Sequence, residues 1–390
     1  MGDAPKSGFW LVLALWGAGL GAAAQFGKVV VIYDLMARQY PAAAATSLGL
    51  LVSMVGFVGL VFGTTAGLLV QRAGYRRVLV AALGFGAVLS LVQAPMLPLP
   101  LMLALRLAEG ASHLAIVVAA PVLIAQIAPL ARQGLAMTLW SSFFGVTFAL
   151  MAWAGRPLAE AFGPGALFAA HAAYMALFAA LLWLMLPRDV PQEAKPLSLK
   201  EIIRQHGVIY ASPRLAAPAL GFFCYTITYV ALLTLLPVFA GAPHQVLLAA
   251  AMPLVSIAVS LTLGVWLLRR MTAVSAVMLG YAVALAAAAA LWLGWQNPPL
   301  MLTASLTLAA ALGLVQGASF ASIPQLNASG ADRARAAGAV AQLGNLGTTS
   351  GTPMLSALIL AHGISGLAGF VLLFSALGIA LHLINAARRA

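Results

Sequence analysis

Apolar runs of about 20 residues follow one another along the whole chain, parted by short clusters of Pro, Gly and charge. In a helix rising 1.5 Å per residue, about 20 such residues cross about 30 Å of hydrocarbon. Barrel strands would alternate over segments of about 10 residues, and no such pattern is evident. Breaking the chain at its polar clusters predicts twelve helical spans, near 9–35, 43–70, 76–94, 99–127, 133–155, 164–186, 214–239, 245–268, 273–294, 300–326, 336–360 and 366–386. Ala22-Ala23-Ala24 is the kind of small-residue stretch cleaved after a signal peptide. The apolar run continues through Val29-Val30-Val31-Ile32, so an uncleaved first span is expected. The fold class is an all-α polytopic membrane protein.

Composition agrees. Of 390 residues, 63% are hydrophobic and 7% charged, against about 25% charged in a soluble domain. The mean hydropathy is +1.03. One cysteine, Cys224, excludes an internal disulfide and a cysteine-rich metal site. The net charge of +12 is placed as a topology signal, not as a nucleic-acid footprint. With the N-terminus inside, sixteen Lys and Arg (Lys6, Arg72, Arg76, Arg77, Arg132, Arg188, Lys195, Lys200, Arg204, Arg214, Arg269, Arg270, Arg333, Arg335, Arg388, Arg389) fall on the inner side and two, Arg38 and Arg156, outside. This bias puts both termini in the cytoplasm, as expected of a bacterial inner-membrane protein with an even number of spans. The longest polar segment, 187–213, divides the chain into an N-terminal bundle (1–186) and a C-terminal bundle (214–390). Ser198 and Glu201 have capping-box spacing there, and Leu199, Ile202 and Ile203 give a short amphipathic helix for the inner membrane surface.

Six spans on each side of a linker invite a search for a repeat. "RLAEGAS" (106–112) matches "GLVQGAS" (313–319), both in the fourth span of their half. "GLLVQR" (67–72) aligns with "GVWLLR" (264–269), both closing the second span. Parallel six-span repeats are a transporter plan.

The loop "GLLVQRAGYRR" (67–77) resembles the signature between spans two and three of the major facilitator superfamily. Gly67, Arg72, Gly74, Arg76 and Arg77 match, and Gln71 stands where that pattern has Asp. "RLAEG" (106–110) resembles the family's fourth-span motif, whereas the span-five Gly–Pro motif of many drug/proton antiporters is missing. The resemblance implies twelve transmembrane helices in two six-helix pseudo-symmetric bundles and secondary active transport by alternating access. It also implies a cavity lined by spans one, four, seven and ten. Glycines of spans two (Gly59, Gly63, Gly67) and eleven (Gly344, Gly347, Gly351) would let those spans meet across the halves. Physically, Gly74 permits a tight turn, and the arginines sit where they oppose translocation and meet anionic lipid. Arg72, Gly74, Arg76 and Arg77 are the gating candidates, with plain topology anchoring as the alternative.

Charges inside a span cost about 2.5–3.5 kcal/mol on insertion scales, so the few present are informative. Arg106, Glu109 and His113 share one face of span four by their spacing of three and four residues. Lys28 of span one lies at similar depth. Arg106 corresponds in the repeat to Gly313, Glu109 to Gln316 and His113 to Phe320, so the second half keeps the scaffold without the titratable groups. It offers Tyr225, Tyr229, Gln316, Ser319 and Gln325 instead. The expected site has Lys28, Arg106, Tyr225, Tyr229 and Gln316 binding a small anion, Glu109 carrying a proton and His113 relaying or tuning it. A structural Arg106–Glu109 pair and a core role for His113 are the alternatives. Protons, a small anionic solute and membrane lipids are the expected partners of a monomer, with no nucleic acid, cofactor or metal. The principal competitor is an exporter of amphipathic compounds with a cavity of Trp140, Phe143 and Phe144. A channel or a non-transporting sensor is more distant. No HExxH, GxSxG, GxxxxGK[ST] or clustered acidic metal site supports an enzyme.

Overall fold

The computed structural model describes residues 7–43, 45–188 and 199–389. Lys6 and the linker segment 189–198, with Lys195 and the expected cap Ser198, lie outside the described residues. Ten helices among those described are long and apolar enough to cross a bilayer. The last, Gly330–Ala387, runs through a non-helical residue, Gly363 (φ 56°, ψ −134°), which divides it into spans eleven and twelve. A broken pair, Leu130–Ser141 followed by Phe143–Phe162, supplies span five. Each of the twelve predicted spans therefore has a helix among the described residues.

The others are span one (Ser7–Val30), two (Ala45–Ala73), three (Tyr75–Gln93), four (Leu99–Ile127), six (Pro164–Met185), seven (Ala216–Phe239), nine (Ala273–Leu293) and ten (Pro298–Leu326). Span eight is Ala242–Val259, continued by a π-helical turn, Ser260–Gly264, and Val265–Leu268. Local sequence sets several starts. Thr272, Asn297 and Ser329 each accept a backbone N–H of the first turn, opening spans nine, ten and eleven. Gly74 (φ 89°, ψ 141°) makes the tight turn expected between spans two and three, a conformation open essentially to glycine.

Span one stops at Val30, short of the expected residue 35, and a separate short helix, Tyr33–Gln39, follows. The Val31 carbonyl, between the two helices, accepts from Arg156 Nη1 at 2.9 Å, and Asp34 turns to the same guanidinium. The expected amphipathic helix is present as Leu199–Ala211, where Tyr210 donates to Gln342 Oε1 at 2.6 Å.

The chain forms two compact units, Met1–Pro129 with Phe143–Ser198, and Leu130–Ser142 with Leu199–Ala390. Their internal packing repeats. In the first unit span two packs on four, three on four and six, and one on four, five and six. In the second, eight packs on ten, nine on ten, and seven on ten. Gly378 of span twelve faces Tyr281 of span nine, and His382 faces Gly221 of span seven. Gly347 and Gly351 lie against Thr226 and Ile227 of span seven, so the glycine face of span eleven serves close packing inside its own unit.

Candidate functional site

Five helices of the first unit bring polar groups to one place. Lys28 is in the last turn of span one, Ser90 near the end of span three, Arg106 and Glu109 on span four, and His171 on span six. Span two adds the Leu51 carbonyl. Lys28, Arg106 and Glu109 have no solvent exposure, and His171 is buried.

Glu109 bridges the cations. Oε1 accepts from Lys28 Nζ and Oε2 from Arg106 Nη1, each at 2.5 Å. Lys28 Nζ also lies 2.7 Å from Ser90 Oγ, 3.3 Å from His171 Nδ1 and 4.6 Å from the Phe168 ring centroid. Arg106 donates Nε–H to the Leu51 carbonyl at 2.7 Å, while its buried Nη2 has no hydrogen-bond partner among the described residues. Two cations share one carboxylate, and one guanidinium corner is left unsatisfied. Such a corner costs free energy in a dry interior unless a further acceptor meets it.

Beside the cluster, Gln25 donates to Ser112 Oγ at 2.9 Å, and Ser112 donates to the Ala82 carbonyl at 2.7 Å. Gly110, between these polar residues, faces span two so closely that an added Cβ would lie 2.5 Å from the Val55 carbonyl.

Helical spacing put Arg106 and Glu109 on one face and depth put Lys28 beside them, and the structure joins all three. His113 is not joined to them by a direct bond. Its Nδ1 lies 2.9 Å from the Ala22 carbonyl, and its ring stands edge-on to Phe26 and Phe144, with centroids 5.0 and 5.9 Å away. Ser90 and His171 were missed. His171 has no charged neighbour at helical spacing on its own span. Its one available signal was an imidazole inside an apolar run.

Of the second-half candidates, Tyr225, Tyr229, Gln316 and Ser319 are buried and Gln325 is exposed. Tyr225 and Tyr229 stack on each other at 5.0 Å, with Phe222 against Tyr225. Gln316 donates to the Ser141 carbonyl at 2.6 Å, and Gln325 Oε1 accepts the Ala273 N–H at 2.7 Å. Ser319 is buried. A cavity of about 470 Å³ in the second unit, bordered by Gln133, Arg269, Gln325 and Arg333, touches the candidate Gln325 but none of Lys28, Arg106, Tyr225, Tyr229 and Gln316. At the loop after span two, Arg76 donates to the Trp183 carbonyl at 2.8 Å and its guanidinium lies 5.5 Å from the Trp183 ring, fastening the start of span three to the end of span six. Arg72 and Arg77 flank the same turn. No group of metal-ligating side chains occurs among the described residues.

The sequence model of the major facilitator superfamily matches residues 9–352. The chain belongs to the major facilitator superfamily. Solved structures of the superfamily share its fold at low identity. The E. coli fucose:proton symporter FucP is 16% identical, with a TM-score of 0.76 over 97% of this chain and 99% of the symporter. The proton:xylose symporter XylE is 15% identical, with a TM-score of 0.76 over 97% of this chain and 95% of its own. The human organic anion transporter MFSD10 is 17% identical, with a TM-score of 0.76 over 98% and 100%. No curated protein shows a significant sequence match. A superfamily protein of this fold is an integral membrane secondary transporter, not an enzyme.

Proposed function

We propose that this transporter moves a small anionic solute coupled to protons, with Lys28 and Arg106 as the anion-binding cations and Glu109 as the proton carrier. The observation that carries the reading is the bridging carboxylate, buried and split between the two cations while Arg106 Nη2 stays unsatisfied. Glu109 occupies the place an anionic solute would take. Protonating it weakens its hold on both cations, which then recruit the solute. Returning the proton restores the bridge and expels the solute. Relatives of the same fold carry sugars with protons or organic anions. The choice for this chain therefore rests on its own residues. The aromatic cavity of an exporter finds less support, since Trp140 and Phe143 are buried and Phe144 packs on Phe26 and His113. The excess of basic residues on one side supports cytoplasmic termini in a bacterial inner membrane, and a monomer suffices for the cycle.

A thermal-shift screen of organic and inorganic anions, amino acids and organic cations identifies the solute, which proteoliposome assays then follow. Glu109→Gln is expected to abolish proton-driven accumulation and retain solute exchange. Concentrative uptake persisting in that variant would end the proton assignment, and stabilisation by cations alone would end the anionic one.

A further inference from the structure

The hydrogen bonds around Lys28 can be assigned one by one. A carbonyl oxygen only accepts, so His171 Nε2, 2.9 Å from the Gly21 carbonyl, carries the ring proton. In the neutral imidazole Nδ1 is then a lone pair. It lies 3.3 Å from Lys28 Nζ and 2.8 Å from Ser90 Oγ. Ser90 has one hydroxyl hydrogen, and Nδ1 is a nearer acceptor for it than the Phe168 carbonyl at 3.1 Å. A lysine ammonium has three N–H donors and no lone pair. The consistent set is Ser90 donating its O–H to His171 Nδ1 across the 2.8 Å contact, and Lys28 donating to Glu109 Oε1 and to Ser90 Oγ, with its third N–H turned to Nδ1 at 3.3 Å. Lys28 is aimed at Glu109 because two neutral acceptors on the other side hold its remaining hydrogens.

We propose that His171 is the positioning residue of the charged cluster: its Nδ1 lone pair fixes the Ser90 hydroxyl, and the two acceptors together hold Lys28 on Glu109 until protonation of Nδ1 releases that hold. The change is one proton, given by a hydronium ion that leaves as water, with Lys28 keeping all three of its own. Protonated His171 has no acceptor for Lys28 and sets a second cation 3.3 Å from Nζ, a repulsion large in a water-poor interior. Lys28 then leaves the bridge. The charged groups facing His171 are Lys28 from span one and, beyond it, Glu109 and Arg106 from span four. Span three presents the Ser90 hydroxyl. Arg156 and Glu160, on the segment that also packs on span six, are turned to Asp34 and to each other. His171 thus makes the cluster respond to acid independently of Glu109.

This inference rests on reading the cluster as the transport site, but its test needs no solute. Full-length protein in nanodiscs, ¹⁵N-labelled at its six histidines, is expected to show one imidazole in the Nε2–H form whose Nδ1 resonance moves in Lys28→Met and in Ser90→Ala. An Nδ1–H form, or an Nδ1 resonance unmoved by Lys28→Met, would overturn the proposal. Thermal unfolding against pH separates positioning from simple packing. His171→Gln keeps a carbonyl acceptor that cannot be protonated, so its midpoint should fall less than that of the wild type on acidification, while His171→Leu should be less stable at every pH. Parallel wild-type and His171→Gln curves would also overturn it. Failure of the Glu109→Gln transport assay with these results intact would remove the transport reading and leave the positioning role standing.

Discussion

Glu109 neutralises two fully buried cations, so removing it leaves both buried and unpaired. Breaking a buried pair in this way costs about 3–5 kcal/mol. Glu109→Ala should therefore unfold markedly earlier than wild type, and adding Lys28→Met and Arg106→Met should recover much of the loss. Arg106→Lys should not substitute, because an ammonium cannot reach both the Leu51 carbonyl and Glu109 in the planar geometry of the guanidinium. Asp34, outside the spans, gives a milder effect. Its hydrogen bond to Arg156 holds its carboxyl below the usual carboxylate range. A lowered folded value means that the contact contributes at neutral pH and is lost as pH falls through that value. The pair is about 40% exposed, so Asp34→Asn should flatten the acid limb of thermal stability only slightly, and less in high salt. Lys28, Arg106 and Glu109 were legible in the sequence because charge in an apolar run is rare and helical spacing reports a shared face. Ser90 and His171 were not, because each reaches the cluster from a different helix, and only the tertiary packing joins them.

The repeat decides more about span four than its charges do. His113 and its counterpart Phe320 each stand edge-on, 5.0 Å away, to a phenylalanine of the first span in their half, Phe26 and Phe222. The position is an aromatic packing site in both units, which supports a core role for His113. His113→Phe should fold and keep proton-driven transport, and loss of the coupling alone would return His113 to the relay. Arg106 corresponds to Gly313, where span ten closes on the Ser256 carbonyl of span eight. One half uses this position for a guanidinium bonded to its neighbouring span's backbone, and the other for bare backbone contact. Glycine carries equal weight at the turns and seams. Gly74→Ala should cost about 1–3 kcal/mol through its backbone conformation. Gly351→Val should cost at least a similar amount by overpacking against Ile227, both read as a fall in the unfolding temperature.

At the scale of the molecule, the number of spans and the six-plus-six plan could be read directly, since a bilayer demands long apolar helices and little else looks like them. The break in span five was not, because the apolar pattern resumes at Phe143 directly after Ser142, with no Pro to mark it and Gly145 already inside the next helix. The chain passes at that residue from one compact unit to the other. Single cysteines introduced in a Cys224→Ser background at Arg77 and at Arg38 should react with an impermeant thiol reagent from opposite faces of oriented vesicles. Labelling of both from one face would reverse the topology reading. The bridging carboxylate has a last consequence. On the proposed reading, Glu109 is a competitor for the solute's own site that is tethered and never diffuses away, so its local concentration is set by the helix and not by the medium. A free anion must outbid that fixed rival to stay bound. A chain deprived of it should hold its solute more tightly and discharge it more slowly. The tether then sets the pace of release, and its removal should appear as a longer residence time alongside the lost proton gradient response.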